Sequence, residues 1–252
     1  MIFTPILPCL DDGAKTEEES LAMAIDAVAQ GITTIIATPH HKNGRYENTP
    51  ENIKLHISIL NKLFKKVQIP LNLLPGQEIR LNGDMLKDMK NNELLTLNHS
   101  KYLFVELPDG HVPRYFEQVL FELLIAGYVP IIVHPERNEE LLQHPYMLYE
   151  FVKQGALTQI TAGSIKGKFG RKVQKFSHKL IRANLTHFIA SDAHNTTSRA
   201  FLLGTALTEV KWKFGRDYYD RFLENSQLLV NNLSINLLEP TMVTRNKLLG
   251  LL

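Results

Sequence analysis

Histidine and carboxylate residues stand at the ends of five short apolar runs along this sequence. A mixture of imidazole and carboxylate donors suits Mn²⁺, Fe²⁺ or Zn²⁺, whereas oxygen ligands alone would suit Mg²⁺ or Ca²⁺. Their number exceeds the needs of one ion, and clustered carboxylates favour a multinuclear site that activates water against a phosphoryl group. The candidate ligands are His40, Glu78, Glu106, His134, Asp192 and His194.

Two arginines close to these residues could hold a phosphate. Arg137 lies three residues after His134, and Arg199 lies five residues after His194. A guanidinium group can donate two parallel hydrogen bonds to phosphate oxygens. Other phosphate-handling motifs are absent, because Cys9 has no arginine six residues later and the segment 163–170 is one residue short of a P-loop.

Short apolar runs alternate with amphipathic segments over most of the chain. Runs of this kind are typical of parallel strands covered on both faces, and amphipathic segments between them indicate helices. We predict an α/β fold and, with six or seven repeats, a distorted β/α barrel whose strand ends bring the candidate ligands to one rim. The predicted strands fall within 34–38, 71–74, 102–107, 129–133, 157–161 and 187–191, and the predicted helices within 16–31, 51–67, 113–126, 138–154, 170–183, 196–210 and 217–230.

Length and composition restrict the class of protein. No low-complexity linker divides the 252 residues, so we predict a single domain over 1–252 with an irregular tail at about 238–252. A net charge of +2 gives no case for nucleic acid as a partner, and no apolar run is long enough for membrane insertion. The one cysteine excludes an internal disulfide and favours a reducing, cytoplasmic location. The oligomeric state is left open.

Six segments together resemble the polymerase-and-histidinol-phosphatase (PHP) superfamily. They are IIATPHHKNGRY, LLPGQEIR, HVPRY, HPERN, ITAGS and FIASDAHN. Within that superfamily the sequence is similar to the bacterial manganese-dependent tyrosine-protein phosphatases of capsule and exopolysaccharide synthesis, from about Ile6 to the C-terminus. The resemblance implies a PHP-type barrel, up to three divalent ions, with Mn²⁺ favoured over Fe or Zn, and hydrolysis of phosphotyrosine on the tyrosine-rich tail of a bacterial tyrosine kinase.

The resemblance also implies a role for each matched residue. Asp12, His40 and His194 would hold one metal ion. Glu78 would bridge two further ions, with Asp192 on one of them and Glu106 and His134 on the other. Arg137 and Arg199 would bind the phosphate as the catalytic arginines.

The sequence departs from the family pattern at its first strand. The family has Asp-Ile-His-Ser-His or Asp-Ile-His-Cys-His before Ile-Leu-Pro, and both histidines are metal ligands, whereas Phe3-Thr4-Pro5 stands there in this chain. We expect weaker metal binding and reduced activity, and we expect Pro5 to remove a hydrogen-bond donor from an interior strand. Codons for Ile-His-Ser-His-Ile can be read one base later as Phe-Thr-Pro-Ile, so a local frame slip is one hypothesis for this segment.

Two alternatives to the tyrosine phosphatase remain at this point. One is a catalytically weak protein that binds phosphotyrosine without hydrolysing it. The other is a small-molecule phosphomonoesterase that acts on histidinol phosphate or a sugar phosphate. The sequence itself does not separate these functions.

Overall fold

The computed structural model describes residues 2–243, without the side chain of Ile2. The predicted tail therefore lies partly outside the described residues, from position 244 onward. Its described part, 238–243, contains no helix or strand, and the backbone N–H of Thr241 donates to the carbonyl of Ala183 at 2.8 Å.

Within residues 2–243, nine strands form two sheets in which every pairing is parallel. One sheet has the order β1-β2-β4 and the other has the order β3-β5-β6-β7-β8-β9. The strands are β1 (Ile2–Thr4), β2 (Thr34–Ala37), β3 (His40–His41), β4 (Asn72–Pro75), β5 (Glu78–Arg80), β6 (Tyr102–Glu106), β7 (Val129–Val133), β8 (Leu157–Thr161) and β9 (Phe188–Ala190).

Ten α-helices connect and cover these strands within the described residues. They are α1 (Glu17–Ala29), α2 (Pro50–Lys66), α3 (Met85–Lys90), α4 (Phe116–Ile125), α5 (Glu139–Gln143), α6 (Pro145–Gln154), α7 (Ala162–Ile165), α8 (Arg171–Arg182), α9 (Leu203–Phe214) and α10 (Arg216–Val230). Two short 3₁₀ turns occupy Leu97–His99 and Pro135–Arg137.

Each of the six predicted apolar runs overlaps a strand, but two predicted helices differ from the structure. The segment 138–154 forms two helices, because Pro145 begins α6 and cannot continue α5. The segment 196–210 is helical only from Leu203. Before that point, the side-chain oxygen of Asn195 accepts hydrogen bonds from the backbone N–H groups of Thr197 and Arg199, which holds a loop.

A closed barrel is not confirmed, because the strands form two separate sheets. The division arises where β2 gives way to β3 and where β4 gives way to β5. Gly76 lies in the second break, and a Cβ atom there would come within 2.6 Å of the Ile36 side chain, so the close approach of the two segments requires glycine. Past the end of β9, the backbone N–H of Asp192 donates to the carbonyl of Phe3 in β1 at 3.3 Å.

The first strand is intact despite its proline. β1 ends at Thr4, so Pro5 lies just beyond the paired residues and removes no donor from the ladder, contrary to the sequence-based expectation. Phe3 is buried, and its ring centroid lies 4.5 Å from that of Phe104 and 6.3 Å from that of Phe188. Burial of an aromatic side chain among apolar neighbours stabilises the docking of β1.

The helices of residues 2–243 are too short or too polar for a membrane. None of them could cross a bilayer.

Candidate metal centre and phosphate site

The carboxyl ends of the parallel strands bring the predicted ligands to one rim. Glu106 is the last residue of β6, His134 follows β7, and Asp192 and His194 follow β9. His40 and Glu78 follow β2 and β4 as predicted, and each begins a further short strand, β3 and β5, in which the two residues are paired in register. Asp12 comes from the loop after β1.

In the part of the chain that the structure describes, two groups of three side chains have the spacing of metal ligands. In the first group, Asp12 Oδ1 lies 3.4 Å from His40 Nε2 and 3.4 Å from His194 Nε2. In the second group, His40 Nδ1 lies 3.7 Å from Glu78 Oε1 and 4.0 Å from Glu106 Oε2. The ligand atoms within each group lie within 4.8 Å of one another, so each group could surround a cation. His40 belongs to both.

His134 and Asp192 lie beside these groups and are engaged by neighbours. His134 Nε2 is 3.0 Å from Glu78 Oε1. Asp192 Oδ2 accepts from Arg199 Nη2 at 2.9 Å and lies 3.3 Å from Arg137 Nη1. Both predicted phosphate-binding arginines therefore converge on a single carboxylate at the edge of the cluster.

The charges of the cluster shift the pKa values of its members. Burial alone would lower the pKa of His40, but the carboxylates of Glu78, Asp12 and Glu106 outweigh burial and raise it to about 10. Burial, assisted by the charge of Glu78, raises the pKa of Glu106. Burial would also raise the pKa of Asp192, but Arg137 and the other positive groups lower it to about 2. Positive charge on His40 and on the guanidinium groups thus offsets the negative charge of the carboxylates.

Several nitrogen and oxygen atoms that could ligate a metal are buried without a hydrogen-bond partner among the described residues. These atoms are His40 Nδ1, His194 Nε2 and Glu106 Oε2. Unpaired buried polar atoms are uncommon because they lose hydration and gain nothing in return. His194 is oriented for such a role, since its Nδ1 lies 2.9 Å from the carbonyl of Asp192 and its Nε2 faces Asp12. The residues present therefore fit a divalent cation.

Two site residues have strained backbones. His134 has φ 37° and Asp192 has φ 51°, which are left-handed values that non-glycine residues seldom adopt. Hydrogen bonds from their backbone N–H groups to the carbonyls of Gln159 and Phe3 hold these conformations. Such strain is concentrated at functional sites, where it orients side chains that regular backbone would direct elsewhere.

Two polar neighbours of the cluster, Arg80 and Asp11, are not among the site residues predicted from the sequence pattern. Arg80 Nη2 lies 3.1 Å from Glu106 Oε1 and neutralises part of its charge. Arg80 follows Glu78 by two residues, so the two-residue periodicity of a strand would have placed both on one face. Asp11 accepts hydrogen bonds from the backbone N–H groups of His40 and Gly13, and it fixes the turn that presents Asp12.

The rim next to β1 carries none of the imidazoles that the family pattern places there. Phe3 points into the core, and the hydroxyl of Thr4 donates to the carbonyl of Ala193. A Cβ atom on Gly13 would lie 1.9 Å from the carbonyl oxygen of Pro5, so the turn carrying Asp12 packs directly against Pro5. This side of the site is filled by packing and backbone hydrogen bonds.

Comparisons with known proteins agree with this arrangement. Residues 2–231 match the family model described as "Capsular polysaccharide synthesis, CpsB/CapC". The tyrosine-protein phosphatase YwqE of Bacillus subtilis is 47% identical over 97% of this chain and 96% of that protein. The tyrosine-protein phosphatase CpsB of Streptococcus agalactiae serotype III is 31% identical over 88% of this chain and 94% of that protein.

A solved structure extends the likeness to three dimensions. It is one of the crystal structures of YwqE from B. subtilis and CpsB from Streptococcus pneumoniae, which are described as unique metal-dependent tyrosine phosphatases. The two chains superpose with a TM-score of 0.95 and are 47% identical, over 97% of this chain and 99% of that one. With a family model that matches most of the sequence, this chain belongs to the CpsB/CapC family of capsular polysaccharide synthesis.

Proposed function

We propose that this chain is a metal-dependent protein-tyrosine phosphatase that acts on phosphotyrosine of a bacterial tyrosine kinase controlling capsule or exopolysaccharide synthesis. The observation that carries this proposal is the cluster of Asp12, His40, Glu78, Glu106 and His194 beside two arginines at one rim. Relatives named as tyrosine-protein phosphatases, at 47% and 31% identity, favour this function over a small-molecule phosphomonoesterase.

The metal is proposed to be Mn²⁺. The mixture of imidazole nitrogens and carboxylate oxygens suits Mn²⁺, Fe²⁺ or Zn²⁺, and the resemblance to the manganese-dependent phosphatases favours Mn²⁺ among them. Divalent ions held by the seven predicted ligands would supply an acidified water as nucleophile and would offset phosphate charge. The ligands are Asp12, His40, Glu78, Glu106, His134, Asp192 and His194.

The two arginines would bind and orient the phosphate. Arg137 and Arg199 already share Asp192 Oδ2, so their guanidinium groups converge on one point at the edge of the cluster. A phosphate dianion offers more acceptor oxygens than one carboxylate, and it would draw donors from both arginines. Cys9 has no place in this chemistry, since its thiol is exposed and lies 2.8 Å from the carbonyl of Lys15.

The altered first strand leaves the proposed enzyme weaker than its relatives. Thr4 and Pro5 offer no imidazole, so the ion nearest β1 would depend on fewer ligands. Metal affinity follows the number and position of ligands, and we expect a higher Mn²⁺ requirement and reduced turnover. A protein that binds phosphotyrosine without hydrolysing it is the limiting case of this loss.

Other parts of the proposal concern the setting of the enzyme. Residues from Ile6 to Phe222 contribute to one hydrophobic cluster, which supports a single domain. The single cysteine supports a cytoplasmic location, where thiols stay reduced. The partner proposed on this basis is the phosphorylated tyrosine-rich tail of the kinase.

Turnover of a phosphotyrosine peptide with increasing Mn²⁺ tests the proposal. We expect hydrolysis that rises with Mn²⁺ and disappears when a chelator is added. Binding of the peptide without metal-stimulated hydrolysis would exclude the enzyme and leave a binding protein. Faster hydrolysis of histidinol phosphate or a sugar phosphate than of the peptide would assign the site to small phosphomonoesters.

A further inference from the structure

One region of the surface carries a high density of positive charge. Between Glu150 and Asp192 the sequence contains no acidic residue, and most of its basic residues lie on α8 or just before it. We define the basic face as Lys168, Arg171, Lys172, Lys175 and Lys179. Among residues 2–243, none of these five side chains forms an ion pair or a side-chain hydrogen bond, and all except the half-buried Lys179 are exposed.

The charge on α8 is unfavourable for the helix itself. Arg171 and Lys172 occupy its first turn, which contains no acidic residue. Acidic residues occur in the first turns of α1, α2, α3, α4, α5 and α10, whereas the first turns of α6, α7 and α9 contain neither acidic nor basic residues. Positive side chains at the positive end of a helix dipole lower helix stability. An anionic partner bound beside Arg171 and Lys172 would offset their positive charge and stabilise the start of α8.

A groove runs along the basic face. Three lysines spaced at 172, 175 and 179 share one side of α8 and form its rim. The groove has a volume of about 240 Å³, and its lining between the lysines is mostly apolar. The apolar residues that line it are Leu142, Pro145, Phe176 and Val243. An apolar floor with a cationic rim suits an extended acidic peptide better than it suits a flat membrane surface.

The basic face is continuous with the proposed phosphate site. The guanidinium carbon of Arg137 lies 5.1 Å from the ring centroid of Phe169, which shortly precedes the helix. Phe169 packs over Gly163, where a Cβ atom would lie 3.1 Å from the ring. The buried Glu136 accepts hydrogen bonds from the backbone N–H of Thr161 and the hydroxyl of Ser164. The turn that carries Arg137 is therefore joined to the start of the basic segment.

We propose that the basic face and its groove bind the acidic flank of the phosphotyrosine substrate, next to the catalytic rim. This inference rests on the proposed function, because the phosphotyrosine is taken to sit between Arg137 and Arg199. The 12 residues of α8 span roughly 18 Å, which an extended peptide covers with about five or six residues. Phosphotyrosine segments with acidic residues within that distance would be preferred over neutral ones.

Equilibrium binding of fluorescent peptides tests this proposal without relying on turnover. One phosphotyrosine peptide carries glutamates on both sides of the phosphotyrosine, and the other carries glutamines at the same positions. We expect the glutamate peptide to bind about 10-fold more tightly at low salt, and this preference to shrink as salt is added. The triple variant Lys172→Gln, Lys175→Gln, Lys179→Gln should lose most of the preference.

A matched control has the same change of charge on a distant helix. The triple variant Lys62→Gln, Lys65→Gln, Lys66→Gln removes three exposed lysines from the C-terminal part of α2. The N-terminal end of α2 is the end that follows β3 in the chain, so these lysines lie at the other end of the helix. This variant should keep the wild-type preference. Retention of the preference by the α8 variant, or equal binding of both peptides by the wild-type protein, would overturn the proposal.

Vesicle binding and metal-stimulated hydrolysis distinguish an acidic peptide site from a membrane-binding face and from the phosphatase activity itself. Binding to phosphatidylserine vesicles that the α8 variant loses, with an unchanged peptide preference, would assign the basic face to a membrane and overturn the proposal. Hydrolysis of an aryl phosphate with Mn²⁺ reports on the proposed function separately. A preference for the glutamate peptide without such hydrolysis would overturn the proposed phosphatase activity and support the acidic-peptide site. Hydrolysis without that preference would support the phosphatase activity and overturn the acidic-peptide site.

Discussion

The rim formed by β3, β5 and β6 differs sharply from the rim next to β1. The first carries His40, Glu78 and Glu106. Two of their potential ligand atoms, one on His40 and one on Glu106, are buried and have no hydrogen-bond partner in the described residues. On the second, Phe3 is packed in the core and the Thr4 hydroxyl is already hydrogen-bonded. The first rim brings carboxylates together with unpaired polar atoms, so a bound cation would stabilise it. The second is already packed and hydrogen-bonded, and β1 itself offers no imidazole or carboxylate to a cation.

This difference separates folding from chemistry within one site. β1 keeps its parallel pairing with β2 and its aromatic contacts although its sequence differs from the family pattern. Strand pairing depends on backbone hydrogen bonds and burial, which Phe3 and Thr4 provide as well as other residues. Metal binding depends on particular donor atoms, and no change of packing replaces them.

Loss of His40 should have the largest effect, because both groups of ligands contain it. Mutation of a residue that only hydrogen-bonds to a metal ligand lowers metal affinity by about 10- to 100-fold. His40→Ala removes a ligand itself, so it should lower Mn²⁺ affinity by more than that. Mn²⁺ affinity by calorimetry and turnover of a phosphotyrosine peptide measure the effect.

The matched control is His56→Ala on α2, where the imidazole lies 2.9 Å from the carbonyl of Asn52 in the preceding helical turn. It should leave Mn²⁺ affinity unchanged. Wild-type affinity in His40→Ala would show that the cluster is not the metal site.

The next largest effect is expected from restoring the family pattern at β1. Replacing Phe3-Thr4-Pro5 with Asp-Ile-His-Ser-His should raise Mn²⁺ affinity and turnover by roughly 10- to 100-fold, because two imidazoles would complete the deficient rim. The same insertion with alanine in place of both histidines controls for the change in length. Equal affinities in two folded insertion variants, checked by thermal unfolding, would contradict the expected role of this rim.

A smaller effect is expected at the edge shared by the arginines. Arg199→Gln removes a donor to phosphate and should lower kcat/KM on an aryl phosphate by about 10- to 100-fold, as expected for hydrogen bonds to charged groups. Mn²⁺ affinity should not fall, since Arg199 competes with a cation for Asp192. Arg216→Gln is the control, because that exposed side chain pairs with Asp220 one helical turn away. A parallel fall in metal affinity would mean that Arg199 supports the metal ligands instead.

Sequence predicted the long elements because their signals extend over many residues. β6, β7 and β8 each contain five residues and belong to clear apolar runs, whereas β1, β3 and β5 contain only two or three. Elements that short have too few residues to show a periodic pattern. The break between α5 and α6 was predictable in principle from Pro145.

The membership of the candidate site was predictable, but its internal pairing was not. Strand ends in a parallel sheet converge, so the position of each ligand in the sequence indicated one rim. The convergence of Arg137 and Arg199 on Asp192 depends on side-chain directions, including that of Asp192 on a backbone with positive φ, which no spacing rule supplies. The loss of ligands at β1 was visible only against the family pattern.

The smallest expected effect concerns the stability of the scaffold away from the site. His187 is buried beside β9 and accepts a hydrogen bond at Nδ1 from the backbone N–H of Thr158. Burial, with a smaller contribution from Arg221, lowers the pKa of His187 from 6.5 to about 3. The unfolded chain therefore binds a proton below pH 6.5 that the folded chain excludes, and stability falls as the pH decreases from 6.5 towards 3.

At pH 5.5 this linkage should amount to about 1 kcal/mol, since each pH unit below 6.5 contributes about 1.4 kcal/mol. Urea unfolding of the metal-free protein at pH 7 and at pH 5.5 measures it, and His187→Asn, whose side-chain oxygen can still accept from Thr158, should reduce the difference by that amount. A pH dependence that persists unchanged in this variant would place the acid sensitivity in the cluster of carboxylates. In that case the rim at β3, β5 and β6 would limit the stability of the fold as well as its chemistry.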